Sequence, residues 1–135
     1  MLQKKSLYKT GVVFGVFDGL HKGHKYFLTE AAKRCEKLIV AVTAGEAVLQ
    51  LKGHLPRYGQ NERITAIQNF NPKLTVVRGD RVLGKWTVLK KYAPNVVFLG
   101  HDQQAIAKEL TKLHTPFVFL GSHHPEKHKS SLLNK

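Results

Sequence analysis

Five short apolar runs, separated by stretches with helical spacing, set the strongest constraint on how this chain can fold. The runs are 11–14, 38–42, 74–77, 96–99 and 116–120. Each is rich in β-formers and short enough to be a strand that is buried on both faces. The segments between them place apolar residues every three or four positions, as amphipathic helices do. This alternation predicts right-handed βαβ crossovers and a five-stranded parallel sheet with helices on both faces.

The length and composition predict one domain with a real hydrophobic core. The chain has 135 residues, of which 42% are hydrophobic and 23% charged, as in ordinary soluble proteins. We expect residues 1–10 to be a loose lead-in and residues 122–135 to be a polar tail. No apolar run approaches the ~20 residues of a membrane span, and no signal peptide is evident. The single cysteine, Cys35, suits a reducing compartment and is expected to pack a helix. We therefore predict a cytoplasmic protein without a membrane partner.

The charge is strongly positive and indicates an anionic partner. Lys and Arg number 22 against 9 Asp and Glu, which gives a formal net charge of +13. Such a balance suits nucleic acid as well as small phosphorylated ligands. The basic residues form no long block, and aromatic residues do not alternate with them as a base-stacking surface requires. The sequence therefore favours small anions, and nucleic acid remains the less favoured alternative.

The stretch 15–24, GVFDGLHKGH, is the place where such an anion would bind. It lies between the first predicted strand and the first predicted helix, so it contains a helix N-terminus with unpaired backbone N–H groups. Its glycines are Gly15, Gly19 and Gly23. They leave room for a tight turn or for close approach of a ligand to the backbone. His21 and His24 are three positions apart on one helix face, where imidazole N–H groups can stabilise phosphate charge.

The other polar loops follow predicted strands, as this stretch does. They contain Thr43, Gly79, 100–102 and Gly121. In a parallel sheet such loops meet at the carboxyl edge, where ligands bind at the point of reversal of strand order. The sequence therefore predicts a single site at that edge.

At this point the motif carries a resemblance to a family. Residues 15–24 match G-x-F-D-x-x-H-x-G-H position for position, and this pattern resembles that of the cytidylyltransferase-like nucleotidylyltransferases. Glycerol-3-phosphate cytidylyltransferases and archaeal-type FAD synthases are members. The resemblance implies a Rossmann-like fold of the HIGH type. It also implies transfer of a nucleoside monophosphate from a nucleoside triphosphate, ATP or CTP, to a phosphomonoester, with release of pyrophosphate.

The resemblance also carries residue roles onto the matching positions. The residues implied to act on the phosphates are His21, His24, Lys52 and Arg63. The residues implied to bind the nucleotide near the motif are Gly15, Phe17, Asp18 and Gly23. Three residues of these two sets have alternative roles that remain open. Phe17 could be a core residue, Asp18 a loop-holding cap or Mg²⁺ ligand, and Lys52 a solvated lysine. The resemblance implies no metal site of the protein's own, and Mg²⁺ would bind through the nucleotide phosphates.

Two further stretches extend the resemblance. The string 99–103, LGHDQ, resembles the LGYDQ of archaeal-type FAD synthases, so Gly100 and Asp102 are expected to bind nucleotide. Near the end, Ser130 and Ser131 match a second phosphate-binding motif, I-S-S-T-x-I-R, with a solvated tail as the alternative. The expected acceptor is FMN, with glycerol 3-phosphate and CTP as the second pairing. A second copy of the chain, in a homodimer, is a further candidate partner. A domain that binds nucleotide or nucleic acid without catalysis is the alternative of another class.

Overall fold

One parallel sheet of five strands forms the centre of the molecule in the computed structural model, which describes residues 7–121. The strands are β1 (Tyr8–Gly15), β2 (Cys35–Val42), β3 (Thr75–Arg78), β4 (Val96–Leu99) and β5 (Phe117–Phe119). Their order across the sheet is β3-β2-β1-β4-β5, and all neighbouring pairs are parallel. β1 is central, with Val12 opposite Ile39 on one side and Val97 on the other.

Helices cover both faces of this sheet. Within residues 7–121 they are α1 (Lys22–Lys33), α2 (Gly45–Lys52), α3 (Gln60–Phe70), α4 (Thr87–Tyr92) and α5 (Gln104–Lys112). α1 and α3 belong to one buried cluster, to which they contribute Leu28, Ala31 and Ile67. α4 and α5 belong to a second cluster, to which they contribute Val88, Ala107 and Leu110. These two clusters lie on opposite faces, so the predicted three-layer α/β fold is confirmed.

The central strand shows why the apolar runs are continuous. Val12 packs into the cluster on the α4–α5 face, and its neighbour Val13 packs into the cluster on the α1–α3 face. Both side chains are fully buried. Since successive side chains of a strand point to opposite faces, a strand covered on both faces needs apolar residues at every position.

The strand order reverses between β1 and β4. The chain goes from β1 outward through β2 to β3, then crosses to the other side of β1 to form β4 and β5. Loops after β1 and β4 therefore turn away from each other and leave a crevice at their carboxyl ends. The loop 15–21 and the loop 100–103 border this crevice. None of the helices within residues 7–121 combines the length and the apolar character that a membrane span requires.

Several predicted boundaries were wrong. β1 begins at Tyr8, so residues 8–10 of the expected lead-in are strand, paired with β2 from Cys35 onward. Cys35 therefore starts a strand. It is still buried against α1, where its Sγ donates to the carbonyl oxygen of Ala31 at 3.5 Å. Lys52 is the last residue of α2. The tail motif with Ser130 and Ser131 lies outside the described residues.

Candidate active site

Two histidines close the N-terminus of α1. His21 is the N-cap, and its Nδ1 accepts hydrogen bonds from the backbone N–H groups of Gly23 (3.0 Å) and His24 (3.4 Å). His24 Nδ1 in turn accepts from the backbone N–H of His21 at 3.3 Å. This is the reciprocal arrangement of a capping box, made here with imidazole rings. Because each Nδ1 is an acceptor, the proton of each neutral ring belongs on Nε2.

The two imidazole rings are stacked on each other. Their centroids are 3.7 Å apart with an interplanar angle of 17°. The ring of Phe17 meets His24 edge-on at 5.3 Å, and Phe17 itself is buried, with a left-handed φ of 51°. The structure therefore places Phe17 in the core beneath His24, which corresponds to the core alternative for this residue.

The environment of His24 favours its neutral form. Burial and the neighbouring charge of His21 lower the pKa of His24, and the charge of Lys52 acts in the same direction. A backbone hydrogen bond to Gly19 and the carboxylate of Asp102 oppose this lowering of the pKa. These influences show that Lys52, at the end of α2, and Asp102, after β4, both lie within electrostatic range of the motif. The ring is therefore kept as a neutral hydrogen-bond donor near pH 7.

Asp18 holds a neighbouring loop against the motif. Its carboxylate oxygens accept hydrogen bonds from the backbone N–H groups of Arg57 (2.8 Å) and Tyr58 (2.9 Å). Burial acts to raise the pKa of Asp18, but these two bonds and the charges of Arg57 and Arg63 bring the pKa below its usual value. The loop-holding alternative for Asp18 is thus confirmed, and direct binding of nucleotide by Asp18 stays a prediction.

Arg63 lies beneath the loops rather than in the crevice. Its side chain is buried, with only 1% exposed, and three loop carbonyls accept hydrogen bonds from it. These acceptors are Tyr58 O to Nε (2.8 Å), Val16 O to Nη1 (3.1 Å) and Thr43 O to Nη1 (2.7 Å). Nη2 is buried without a partner among residues 7–121. Burial lowers the pKa of this guanidinium, and the charge of Asp18 opposes the lowering. Nε and Nη1 of the guanidinium, which was expected to bind phosphate, therefore bind backbone carbonyl oxygens instead. Of its nitrogen atoms, Nη2 remains for a ligand.

The loop after β4 is tied directly to the end of β1. Gln103 Nε2 donates to the carbonyl oxygen of Phe14 at 2.8 Å, and Gln103 Oε1 accepts from the backbone N–H of Gly100 at 2.9 Å. One amide group therefore spans the crevice where the strand order reverses. Asp102 and His101 are exposed beside it. We did not predict a role for Gln103, although the LGHDQ string includes it.

The loop after β2 is joined to the motif in the same manner. The backbone N–H and the hydroxyl of Thr43 both donate to the carbonyl oxygen of Gly15, at 2.9 and 3.1 Å.

A Cβ on Gly15 would lie 2.6 Å from the ring of Phe17, and a Cβ on Gly23 would lie 3.0 Å from the ring of His21. Gly15 is therefore required by packing within the protein, whereas a side chain on Gly23 would need the His21 ring to shift by a few tenths of an ångström.

The structure thus brings most of the predicted residues to one edge of the sheet. The motif histidines, Lys52, Gly100 and Asp102 border the crevice, whereas Phe17 and Arg63 support it from below. A five-stranded parallel sheet with a histidine-capped helix at its switch point defines the HIGH-type class of α/β nucleotidyltransferase folds.

Comparison with known proteins gives the family. The family model described as Cytidylyltransferase-like matches residues 12–132. The chain therefore belongs to the cytidylyltransferase-like family, and the resemblance predicted from the motif is confirmed.

Curated relatives and solved structures agree with this membership. The chain is 32% identical over 105 residues to the FAD synthase of Thermococcus sibiricus, covering 75% of this chain and 71% of the relative. It is 37% identical over 92 residues to the FAD synthase of Pyrococcus abyssi, covering 68% of this chain and 62% of the relative. The fold matches a lipopolysaccharide core biosynthesis protein from Thermoplasma volcanium with a TM-score of 0.69. That pair is 23% identical and covers 85% of this chain and 96% of the other.

Proposed function

We propose that this protein transfers the AMP group of ATP to the phosphate of FMN, which forms FAD and releases pyrophosphate. The observation that carries the proposal is the stacked pair of histidines on the N-terminus of α1, at the point where the strand order reverses. The FAD synthases among the relatives, two of them 32% and 37% identical, support ATP and FMN as the substrates. The LGHDQ loop, which resembles that of archaeal-type FAD synthases, supports the same pairing.

The chemistry is a single in-line displacement. A phosphate oxygen of FMN forms a bond to the α-phosphorus of ATP, and the bond from that phosphorus to the bridging oxygen of pyrophosphate breaks. Such a transfer needs no covalent enzyme intermediate, so the protein positions the reactants and stabilises charge. The imidazole N–H groups of His21 and His24 are the donors for the charge that develops on the α-phosphate and the leaving pyrophosphate.

Other residues complete this assignment. The ammonium group of Lys52 lies close enough to His24 to lower the pKa of that ring, and it serves as a positive partner for the phosphates. Arg63 and Asp18 act as positioning residues, since they fix the loops that border the crevice. Gly100 and Asp102 contact the nucleotide, and Ser130 and Ser131 contact its β- and γ-phosphates, as the family resemblance implies.

Mg²⁺ accompanies the nucleotide in this proposal. Among residues 7–121, no three His, Cys, Asp or Glu side chains form a group that could hold a metal ion. Mg²⁺ commonly binds through substrate phosphates, water and one or two carboxylates rather than in a protein cage. Asp102 is the exposed carboxylate near His24 that suits such a contact. When bound, the ion neutralises charge on the phosphate oxygens. A cytoplasmic location and a homodimer stay predictions from the sequence.

The test is a matrix of substrates with the purified protein. ATP, CTP and GTP are each mixed with Mg²⁺ and with FMN, glycerol 3-phosphate or another phosphomonoester, and pyrophosphate release is measured. We expect pyrophosphate with ATP and FMN, in a one-to-one ratio with FAD separated by chromatography. Turnover only with CTP and glycerol 3-phosphate would establish the second pairing. Absence of pyrophosphate with every pair would refute nucleotidyl transfer.

A further inference from the structure

A cation and an aromatic ring lie together over the motif turn, next to the residues assigned to nucleotidyl transfer. The guanidinium of Arg57 lies 5.5 Å from the centroid of the Tyr58 ring. Both side chains cover Gly19: a Cβ placed there would be 3.3 Å from Arg57 Nη2 and 3.6 Å from Tyr58 Cε2. Gly19 has a φ of +83°, so it turns the motif under this pair without a side chain of its own.

The backbone beneath the pair is fixed. The N–H groups of Arg57 and Tyr58 both donate to the carboxylate of Asp18, and the carbonyl of Tyr58 accepts from buried Arg63. The loop that contains Arg57 and Tyr58 is therefore held by Asp18 through two backbone N–H groups and by Arg63 through one carbonyl oxygen. This attachment fixes the backbone from which the Arg57 side chain extends over Gly19, although both side chains of the pair are on the surface.

Within the described part of the chain, no close ion pair neutralises the charge of Arg57. Of the ion pairs within 4.0 Å among residues 7–121, none includes Arg57. Asp18 feels its charge, but the oxygens of Asp18 accept from backbone N–H groups. The planar guanidinium fork is thus available to an anion, and its geometry matches two oxygens of a phosphate.

We propose that Arg57, held against Tyr58, binds the phosphate of the acceptor phosphomonoester and so determines which acceptors the enzyme accepts. This inference rests on the proposed function. The donors assigned above, His21, His24 and Lys52, serve the nucleoside triphosphate, and the attacking phosphate needs a positive group of its own. Arg57 supplies it from the loop that Asp18 holds.

The test separates recognition of the acceptor from recognition of the nucleotide. Arg57→Lys keeps the charge and loses the fork, Arg57→Gln loses both, and Tyr58→Leu removes the ring. Lys112→Gln, an exposed change at the far end of α5, is the control for loss of one positive charge. KM for FMN and KM for ATP are measured for each variant. Binding of FMN and of riboflavin, which lacks the phosphate, is measured by fluorescence titration with α,β-methylene-ATP present.

Arg57→Gln should raise KM for FMN by about 10- to 100-fold, the range for loss of a charge-assisted contact, and leave KM for ATP nearly unchanged. Arg57→Lys should give an intermediate rise, and Tyr58→Leu a rise of about 2- to 5-fold. The wild type should bind FMN more tightly than riboflavin, and Arg57→Gln should remove most of this preference.

A rise in KM for ATP alone, or no change in either KM, would overturn the assignment. A wild type that binds FMN no better than riboflavin would also overturn it, because Arg57 would have no phosphate contact to lose. Pyrophosphate release by the wild type tests the proposed function independently of the role of Arg57. An enzyme that is active with FMN but indifferent to Arg57 refutes only this inference, whereas FMN binding through Arg57 without turnover refutes only the function.

Discussion

Replacement of Arg63 by methionine should destabilise the protein strongly, because this buried guanidinium joins three loops. Its hydrogen bonds go to the carbonyls of Val16, Thr43 and Tyr58, and the side chain is 1% exposed. Three bonds from a charged donor at about 1.5–3 kcal/mol each give roughly 5–9 kcal/mol in gross terms. Release of the buried charge returns several kcal/mol of desolvation energy. We therefore expect a net loss of about 2–4 kcal/mol in the free energy of unfolding.

The measurement is urea unfolding of the wild type, Arg63→Met and a control. Arg78→Met is the control, because Arg78 is exposed and its side chain bonds to Gln60 and Asn61 at the surface. We expect the control to lose less than about 1 kcal/mol. If Arg63→Met unfolds within about 0.5 kcal/mol of the wild type, the three hydrogen bonds do not stabilise the fold. Loss of activity in such a stable variant would show that Arg63 acts at the site without stabilising the fold.

Two further predictions concern nucleotide binding and pH. ATP with Mg²⁺ should raise Tm, because a ligand at a hundred times its Kd adds about 2.7 kcal/mol to the free energy of unfolding. An unchanged Tm at millimolar ATP and CTP would contradict a nucleotide site. The pKa of Asp18 is lowered in the folded protein, so its contribution to stability is complete above its unfolded pKa of about 4 and is lost as the pH falls through the lower folded pKa. Urea titrations between about pH 6 and pH 3 should therefore show a smaller acid-induced loss of stability for Asp18→Asn than for the wild type. Equal losses would refute the stabilising role of the hydrogen bonds from Arg57 and Tyr58 to Asp18.

The layered fold could be predicted because its signal is local. The run 96–99 is apolar throughout, and the observed strand β4 has the same first and last residues as this run. The first parts of β1 and β2 could not be predicted, because exposed charged residues such as Lys9, Glu36 and Lys37 interrupt the apolar pattern there. Main-chain pairing with the neighbouring strand, rather than side-chain burial, extends these two strands.

The support of the site could not be predicted because its contacts are distant in the sequence. Arg63 bonds to residues that precede it by 47, 20 and 5 positions, and Gln103 bonds to Phe14 from 89 positions away. A motif identifies side chains that suit a ligand, but it does not show which of them the folded backbone uses. His21 illustrates this, because its Nδ1 has a second role as the cap of α1.

The most direct test of the central claim is the turnover number of His21→Asn and His24→Asn, measured beside their unfolding curves. An asparagine side chain can still accept the backbone hydrogen bonds that Nδ1 accepts, so the cap is kept while the Nε2–H donor is lost. His21→Ala, which loses the cap as well, should cost about 1 kcal/mol of stability. We predict that each asparagine variant loses ~10²–10³ in kcat and keeps the stability of the wild type. Undiminished pyrophosphate release by either variant, or a loss of kcat matched by unfolding, would contradict the role of that histidine in nucleotidyl transfer.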